Sequence, residues 1–120
     1  MPVHNFKKLE VWKKSRVLVK DVYVMSMKFP ADERFGIISQ IRRAVVSISL
    51  NISEGAGRSS DKDFKNFLHN AFGSSFEVEN LIFLCLDLNF IGIETHDELL
   101  AKISEIQKML NALIQKFDIT

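Results

Sequence analysis

A chain of 120 residues is long enough to bury one hydrophobic core, which predicts a single domain over residues 1–120. Its composition, 47% hydrophobic and 26% charged, excludes an intrinsically disordered chain, and no apolar run approaches the roughly 18 residues that a membrane-spanning helix needs. The formal net charge of +1 conceals an uneven distribution of charge along the sequence. Residues 1–70 hold 13 Lys and Arg against 7 Asp and Glu, whereas residues 71–120 hold 3 Lys and Arg against 8 Asp and Glu.

The first predicted helix covers roughly residues 6–28. Val11, Ser15, Leu18 and Val22 recur at steps of three and four, which places them on one helical face. Pro30 cannot continue a helix and also restricts the residue before it, so the segment ends there.

The second predicted helix covers roughly residues 32–56. Two acidic residues in its first turn suit the positive end of the helix dipole. Its apolar stripe steps by three and four along the sequence through Ile38, Ile41, Val45, Ile48 and Ile52. Gly55 and Gly57 are predicted to stop the helix.

Two longer helices are predicted over roughly residues 60–89 and 96–117. Ser60 and Asp63 have the spacing of a capping box, in which two side chains satisfy free amides at a helix start. Thr95 and Glu98 repeat that spacing before the fourth helix. Gly73 lies inside the third helix, where glycine costs about 1 kcal/mol relative to alanine, so we expect another helix to approach it closely.

The predicted fold is an all-α, up-down-up-down antiparallel four-helix bundle. No segment alternates with the period of a strand, and short connections favour antiparallel neighbours. Several apolar residues lie away from the main helical faces, however: Val17, Val46, Leu50, Phe76, Leu81, Leu84 and Leu88. A helix that is apolar over most of its circumference is buried on more than one side, so we expect a homo-oligomer.

A polar stripe runs along the second helix. At 100° per residue its members fall within about 80° of one another, and they are Gln40, Arg43, Ser47, Asn51, Glu54 and Arg58. If the third helix folds back antiparallel, Ser47 faces Gly73 and Arg43 approaches Glu77. An internal ion pair of Arg43 with a carboxylate, first Glu77 and next Glu54 or Glu79, is one interpretation. A phosphate or ligand site at Arg43 and an inter-subunit pair are the alternatives.

Basic residues are concentrated in the first 20 positions, where six Lys and Arg accompany Glu10 as the one acidic residue. Lys13, Arg16 and Lys20 share a face of the first helix. A row of this kind could hold the phosphates of RNA or DNA, and the candidate set is Lys7, Lys8, Lys13, Lys14, Arg16 and Lys20. Alternatively, the basic and acidic regions of the chain attract each other within or between subunits.

The sequence carries no constellation typical of catalysis or metal binding. His4, His69 and His96 are separated from one another and from Cys85, so neither a metal set nor a Cys-His pair is indicated. We therefore expect no enzymatic activity, no cofactor and no bound metal. A single cysteine excludes an internal disulfide and fits a reducing compartment, so we expect a cytoplasmic protein without a membrane partner.

Five segments carry a family resemblance: FKKLEVWKKSRVL at 6–18, FP at 29–30, QIRRAVVSISLNISEGAGR at 40–58, the pattern F..FL..A.GS at 64–74 and KMLNALI at 108–114. In these segments the chain resembles the four-helix bundle proteins encoded in intervening sequences of 23S ribosomal RNA genes. It is also similar to the accessory variability determinant of diversity-generating retroelements, a pentamer with a basic surface that binds nucleic acid and a reverse transcriptase. The resemblance implies a bundle fold, a homopentamer without enzymatic activity, and nucleic-acid association.

Two functions follow from the residues and the resemblance together. The first is a non-catalytic oligomeric binding module that associates with structured RNA or DNA through the basic rows of helix one. The second is a homo-oligomeric scaffold or protein-interaction module that binds no nucleic acid. Salt dependence separates them, since binding to phosphates weakens steeply as salt rises.

Overall fold

Four helices form the molecule in the computed structural model, which describes residues 4–118. They are α1 (Glu10–Ser26), α2 (Ile37–Ala56), α3 (Asp61–Asp87) and α4 (Ile93–Asp118), with 3₁₀ turns at Phe6–Lys8 and Ala31–Glu33. No strand occurs within the described range. The predicted all-α class is confirmed.

The helices pack in the predicted up-down-up-down order. Each helix contacts the next one in the chain, and α1 contacts α4 to close the bundle. Side-chain contacts run antiparallel: Ser47 of α2 meets Ser74 of α3, and Lys14 of α1 meets Glu105 of α4. The result is an elongated bundle of 48 × 23 × 20 Å.

The core lies along the predicted apolar stripes. All five stripe residues of α2 are buried, and four of them (Ile41, Val45, Ile48 and Ile52) have no exposed surface. Leu18, Leu68 and Leu110 are equally buried on the other three helices. Burying a side chain of this size contributes roughly 1.5–3 kcal/mol, so the 3.6-residue periodicity accounts for the fold.

The first two helices begin later than predicted. Asn5 accepts a hydrogen bond from the Lys7 amide and caps a 3₁₀ turn, and the extended backbone of Leu9 then separates that turn from α1. In the second case the acidic segment forms the 3₁₀ turn Ala31–Glu33, and α2 begins only after Gly36. The carboxylates that suggested a helix start therefore lie on a separate turn.

The later helix boundaries follow two different capping devices. Ser60 Oγ accepts a hydrogen bond from the Asp63 amide at 3.1 Å, as predicted for the start of α3. The predicted start of α4 at the Thr95 capping box is wrong, because the helix already begins at Ile93. Asn89 adopts a left-handed conformation with φ 62° and ends α3 in a Schellman motif.

No helix within the described residues has the length and apolarity needed to cross a membrane.

Candidate functional site

The predicted basic row lies on the outer face of α1. Lys13, Arg16 and Lys20 are exposed there, whereas Val11, Leu18 and Val22 of the same helix are buried. At 100° per residue the three cations fall within about 60° of one another. They therefore form one continuous surface rather than scattered charges.

Two of the predicted lysines are partly neutralised by carboxylates. Lys14 Nζ lies 2.9 Å from Glu105 Oε1 on α4, and the hydrogen bond to that carboxylate raises the pKa of Lys14 above its ordinary value. Lys13 Nζ lies 3.2 Å from Glu10 Oε1, one turn earlier on α1. Exposed pairs such as these contribute little stability, but they reduce the positive charge offered to a partner.

The other predicted cations are Lys7, Lys8, Arg16 and Lys20, all exposed. They form no ion pair with any carboxylate of residues 4–118. Arg16 places its guanidinium 5.6 Å from the centroid of the Trp12 ring, and Phe6 meets that ring edge-on at 4.9 Å. The free positive charge of α1 is thus interleaved with aromatic side chains along a shallow groove.

A second basic groove, which sequence reasoning missed, lies between α1 and α2. Arg42 donates a hydrogen bond from Nε to Ser26 Oγ at 2.8 Å, and its guanidinium lies 4.5 Å from the centroid of the Tyr23 ring. Arg34 and Arg43 line the same open groove of about 420 Å³. The sequence signal for this groove was the pair of adjacent arginines. Neighbouring positions on a helix point about 100° apart, so the pair alone does not show which arginine faces α1.

The predicted lock between Arg43 and Glu77 is absent from the described residues. Arg43 and Glu77 are both exposed, and no carboxylate of the chain lies within ion-pair distance of Arg43 in that range. Glu79, predicted as another partner, instead accepts a hydrogen bond from Gln107 of α4 at 2.9 Å. Arg42, and not Arg43, is therefore the arginine whose side chain is fixed by contacts within the chain, to Ser26 and Tyr23.

The predicted polar stripe divides between the α2–α3 contact and solvent. Ser47 and Ser74 share a hydrogen bond of 2.9 Å, and Asn51 donates to both the carbonyl and the hydroxyl of Ser47. Arg58 lies over the Phe67 ring at 4.7 Å. The remaining stripe members are exposed: Gln40, Arg43 and Glu54. Part of the stripe is thus a structural link between two helices.

The histidines and the cysteine are scattered. His4 Nε2 lies 3.0 Å from Asp61 Oδ1, whereas His96 is buried and its Nε2 atom has no hydrogen-bond partner among residues 4–118. Burial raises the pKa of the Cys85 thiol to about 11, which disfavours the nucleophilic thiolate. Within residues 4–118, no group of three His, Cys, Asp or Glu side chains is placed to hold a metal ion.

Large apolar side chains are exposed on α1, α2 and α3. Val17 and Leu50 are 54% and 59% exposed, and Phe76, Leu84 and Leu88 are exposed as well. Of the surplus apolar residues expected from the sequence, Leu81 is instead buried in the core, and Val46 is half-buried. The bundle therefore leaves an apolar surface that it does not cover itself.

Comparison with known proteins gives the same family that the sequence motifs predicted. The family model of the 23S rRNA-intervening sequence protein matches residues 7–112. The chain belongs to this family. The matched range includes the whole of α1, α2 and α3 and the arginines of the groove between α1 and α2.

The fold of this intervening-sequence protein also occurs among solved structures. It is similar to the crystal structure of a protein from Bacteroides thetaiotaomicron VPI-5482, described as of unknown function and from the S23 ribosomal protein family. The two chains are 28% identical, and the match covers 87% of this chain and 97% of that chain with a TM-score of 0.78. No curated protein matches the sequence.

In this intervening-sequence protein, Gly55 and not Gly73 marks the close approach of two helices. A Cβ atom added to Gly55 would lie 2.5 Å from the Cβ of Phe67 and 3.0 Å from Cδ1 of Phe64. One added to Gly73 would meet no atom of the described residues within 4 Å. Gly55 also lies inside α2, which continues to Ala56, so its role is to admit α3 and not to stop the helix.

Proposed function

We propose that this protein is a non-catalytic, cytoplasmic homo-oligomer that associates with structured RNA or DNA through the basic faces of α1. The observation that carries the proposal is the row of exposed cations without a carboxylate partner among the described residues, above all Arg16 and Lys20. Lysine and arginine contacts to phosphates supply affinity without reading the base sequence. Binding through this face is therefore expected to tolerate many sequences.

Oligomerisation is supported by the uncovered apolar side chains of α1, α2 and α3. An assembly that buries them would repeat the basic face of α1 around its surface, and repeated weak contacts on one strand combine into much stronger binding. Five copies are proposed from the family resemblance. Light scattering at micromolar concentration should then give five times 13.8 kDa, whereas a monomer that unfolds cooperatively would contradict the proposal.

A scaffold that binds no nucleic acid is the second candidate. It is favoured by the ion pairs that occupy Lys13 and Lys14 and by the overall charge of only +1. In that case the exposed apolar side chains would serve self-assembly or a protein partner.

A titration with matched charge reversals distinguishes the two candidates. An RNA hairpin and a DNA duplex, each fluorescently labelled, are titrated with wild type at about 50 and 200 mM salt, the range over which phosphate contacts weaken markedly. The test variant is Arg16→Glu with Lys20→Glu. The control is Lys62→Glu with Lys108→Glu, which makes the same change of charge at exposed positions of α3 and α4.

Nucleic-acid binding predicts a large loss of affinity in the α1 variant and a small one in the control, with both assemblies intact. Each lost phosphate contact should also lower the slope of log affinity against log salt by about 0.7–0.9. Absence of wild-type binding at about 50 mM salt, or equal losses of affinity in the two variants, would contradict nucleic-acid binding through α1 and favour the scaffold.

A further inference from the structure

The groove between α1 and α2 presents an arginine that is fixed before any partner arrives. Arg42 is held from one side by its hydrogen bond to Ser26 and from below by the Tyr23 ring. A guanidinium has five N–H donors, and within the described residues Arg42 uses only Nε. Its terminal donors remain available in a fixed geometry, which suits bidentate recognition of a phosphate.

No carboxylate of residues 4–118 forms an ion pair with an arginine of this groove. Arg34, Arg42 and Arg43 all line it, and none of its described lining residues is Asp or Glu. The nearest carboxylates along the chain, Asp32 and Glu33, lie on the preceding 3₁₀ turn. Three guanidinium groups around one open space attract an anion.

An aromatic ring completes the groove. Phe35 is 90% exposed, lines the same space, and carries the Arg34 guanidinium 5.6 Å from its ring centroid. Exposure of an entire phenyl ring is unfavourable in water. A phenyl ring next to arginines is also the combination on which unpaired bases stack.

We infer that the groove binds a single-stranded segment of nucleic acid, with phosphates on Arg42 and Arg43 and a base stacked on Phe35. The inference rests on the proposed function for the class of ligand and adds the strandedness that α1 alone does not specify. Tyr23 lines both this groove and a separate open space on α1 that is lined by Lys13, Arg16, Lys20 and Asp21, so one strand can pass from the basic face of α1 into the arginine groove. A duplex keeps its bases stacked inside and has none to offer Phe35.

Three ligands of equal length separate the contributions of base, phosphate and strandedness. They are a single-stranded oligothymidylate, an abasic strand that keeps the sugar-phosphate backbone, and a DNA duplex. Phe35→Ala tests stacking and Arg43→Gln tests phosphate contact. The abasic strand is the control for Phe35→Ala, and Arg58→Gln is the matched control for Arg43→Gln, since Arg58 is an arginine that stacks on a ring elsewhere.

Phe35→Ala should weaken binding of oligothymidylate about 5- to 150-fold, the range for loss of one base–aromatic stack, and leave binding of the abasic strand unchanged. Its salt slope should equal that of wild type. Arg43→Gln should weaken binding of the single strand and the abasic strand alike and lower the salt slope by about 0.7. Arg58→Gln should match wild type in affinity and in salt slope.

Equal affinity of wild type for oligothymidylate and the abasic strand, or an unchanged affinity of Phe35→Ala, would overturn the inference while leaving binding through α1 intact. No binding of any of the three ligands, together with no binding of the RNA hairpin, would instead remove the proposed function itself. If Phe35→Ala alters the oligomeric mass in light scattering but not the affinity for oligothymidylate, a second copy of this chain covers the groove, and the inference is wrong.

Discussion

Replacing Gly55 with alanine places a methyl group where two helices already touch. The added Cβ would lie 2.5 Å from the Cβ of Phe67, about 0.9 Å short of the 3.4 Å at which ordinary contact begins. The Phe67 Cβ is fixed to the α3 backbone, so no side-chain rotation can relieve the clash. The two helices must therefore separate, and the fully buried contacts beside them, such as Phe64, must loosen.

The magnitude follows from two opposing effects. Overpacking a core typically costs about 1–3 kcal/mol, and a clash between two backbone-fixed atoms lies at the upper end of that range. Alanine in place of glycine inside a helix returns about 1 kcal/mol. We therefore expect Gly55→Ala to lower the free energy of unfolding by about 2 kcal/mol, which corresponds to a decrease in Tm of about 8 °C for a domain of this size.

Gly73→Ala is the matched control, because it makes the same chemical change in α3 at a position where a Cβ meets no atom of residues 4–118 within 4 Å. Here the gain in helix propensity acts alone, and Tm should rise by about 4 °C. Both melts are followed by circular dichroism at one protein concentration, since the Tm of an oligomer depends on concentration. Shifts of the same sign in the two variants would refute the assignment of Gly55 as the contact point.

Three further predictions concern single side chains. Arg42→Ala should lower the free energy of unfolding by about 1–2 kcal/mol in urea titrations, because it removes the hydrogen bond to Ser26. Arg43→Ala should change the free energy of unfolding by less than about 0.5 kcal/mol. Equal effects of the two substitutions would contradict the placement of the two arginines. His96→Leu should leave the urea midpoint unchanged or raise it, because it removes an unpaired buried nitrogen, and a clear loss would mean that this atom has a partner in the assembly. Cys85 should resist iodoacetamide at pH 8 in the native protein, as measured by mass spectrometry, and rapid labelling would show that the thiol is accessible. Because the pKa of Cys85 is raised from 9.0 to about 11 on folding, the unfolded chain loses the thiol proton first as pH rises. The contribution of this thiol to the free energy of unfolding should therefore decline between pH 9 and pH 11.

Periodicity made the core predictable but left the helix starts open. The stripe from Ile38 to Ile52 needs only the 3.6-residue repeat, and it is buried as expected. The start of α2 depends on Phe35 and Gly36, whose backbone turns the chain between a 3₁₀ turn and the helix. Acidic residues favour any helical turn at its amino end, so composition could not tell this short turn from α2.

The candidate site was predictable in charge but not in position. The exposed row of α1 follows from the spacing of Lys13, Arg16 and Lys20. Which of two adjacent arginines meets α1 depends on how far α2 is rotated about its axis, and that angle is set by packing over the whole helix. The same limit applies to Gly55 and Gly73, since a glycine in the sequence does not reveal where a neighbouring backbone passes.

The short turn between α2 and α3 bears on how the chain folds. Only residues 57–60 separate the two helices, and the helices contact each other more extensively than any other pair. Closing so small a loop costs little chain entropy, and contacts between residues near in sequence form early. We expect this hairpin to be the folding nucleus, with φ-values near 0.5–0.8 for truncation of Ile52 or Leu68 and near zero for Leu110 of α4. Stopped-flow refolding of the three variants measures these φ-values, and a Leu110 value as high as the other two would place α4 in the nucleus as well.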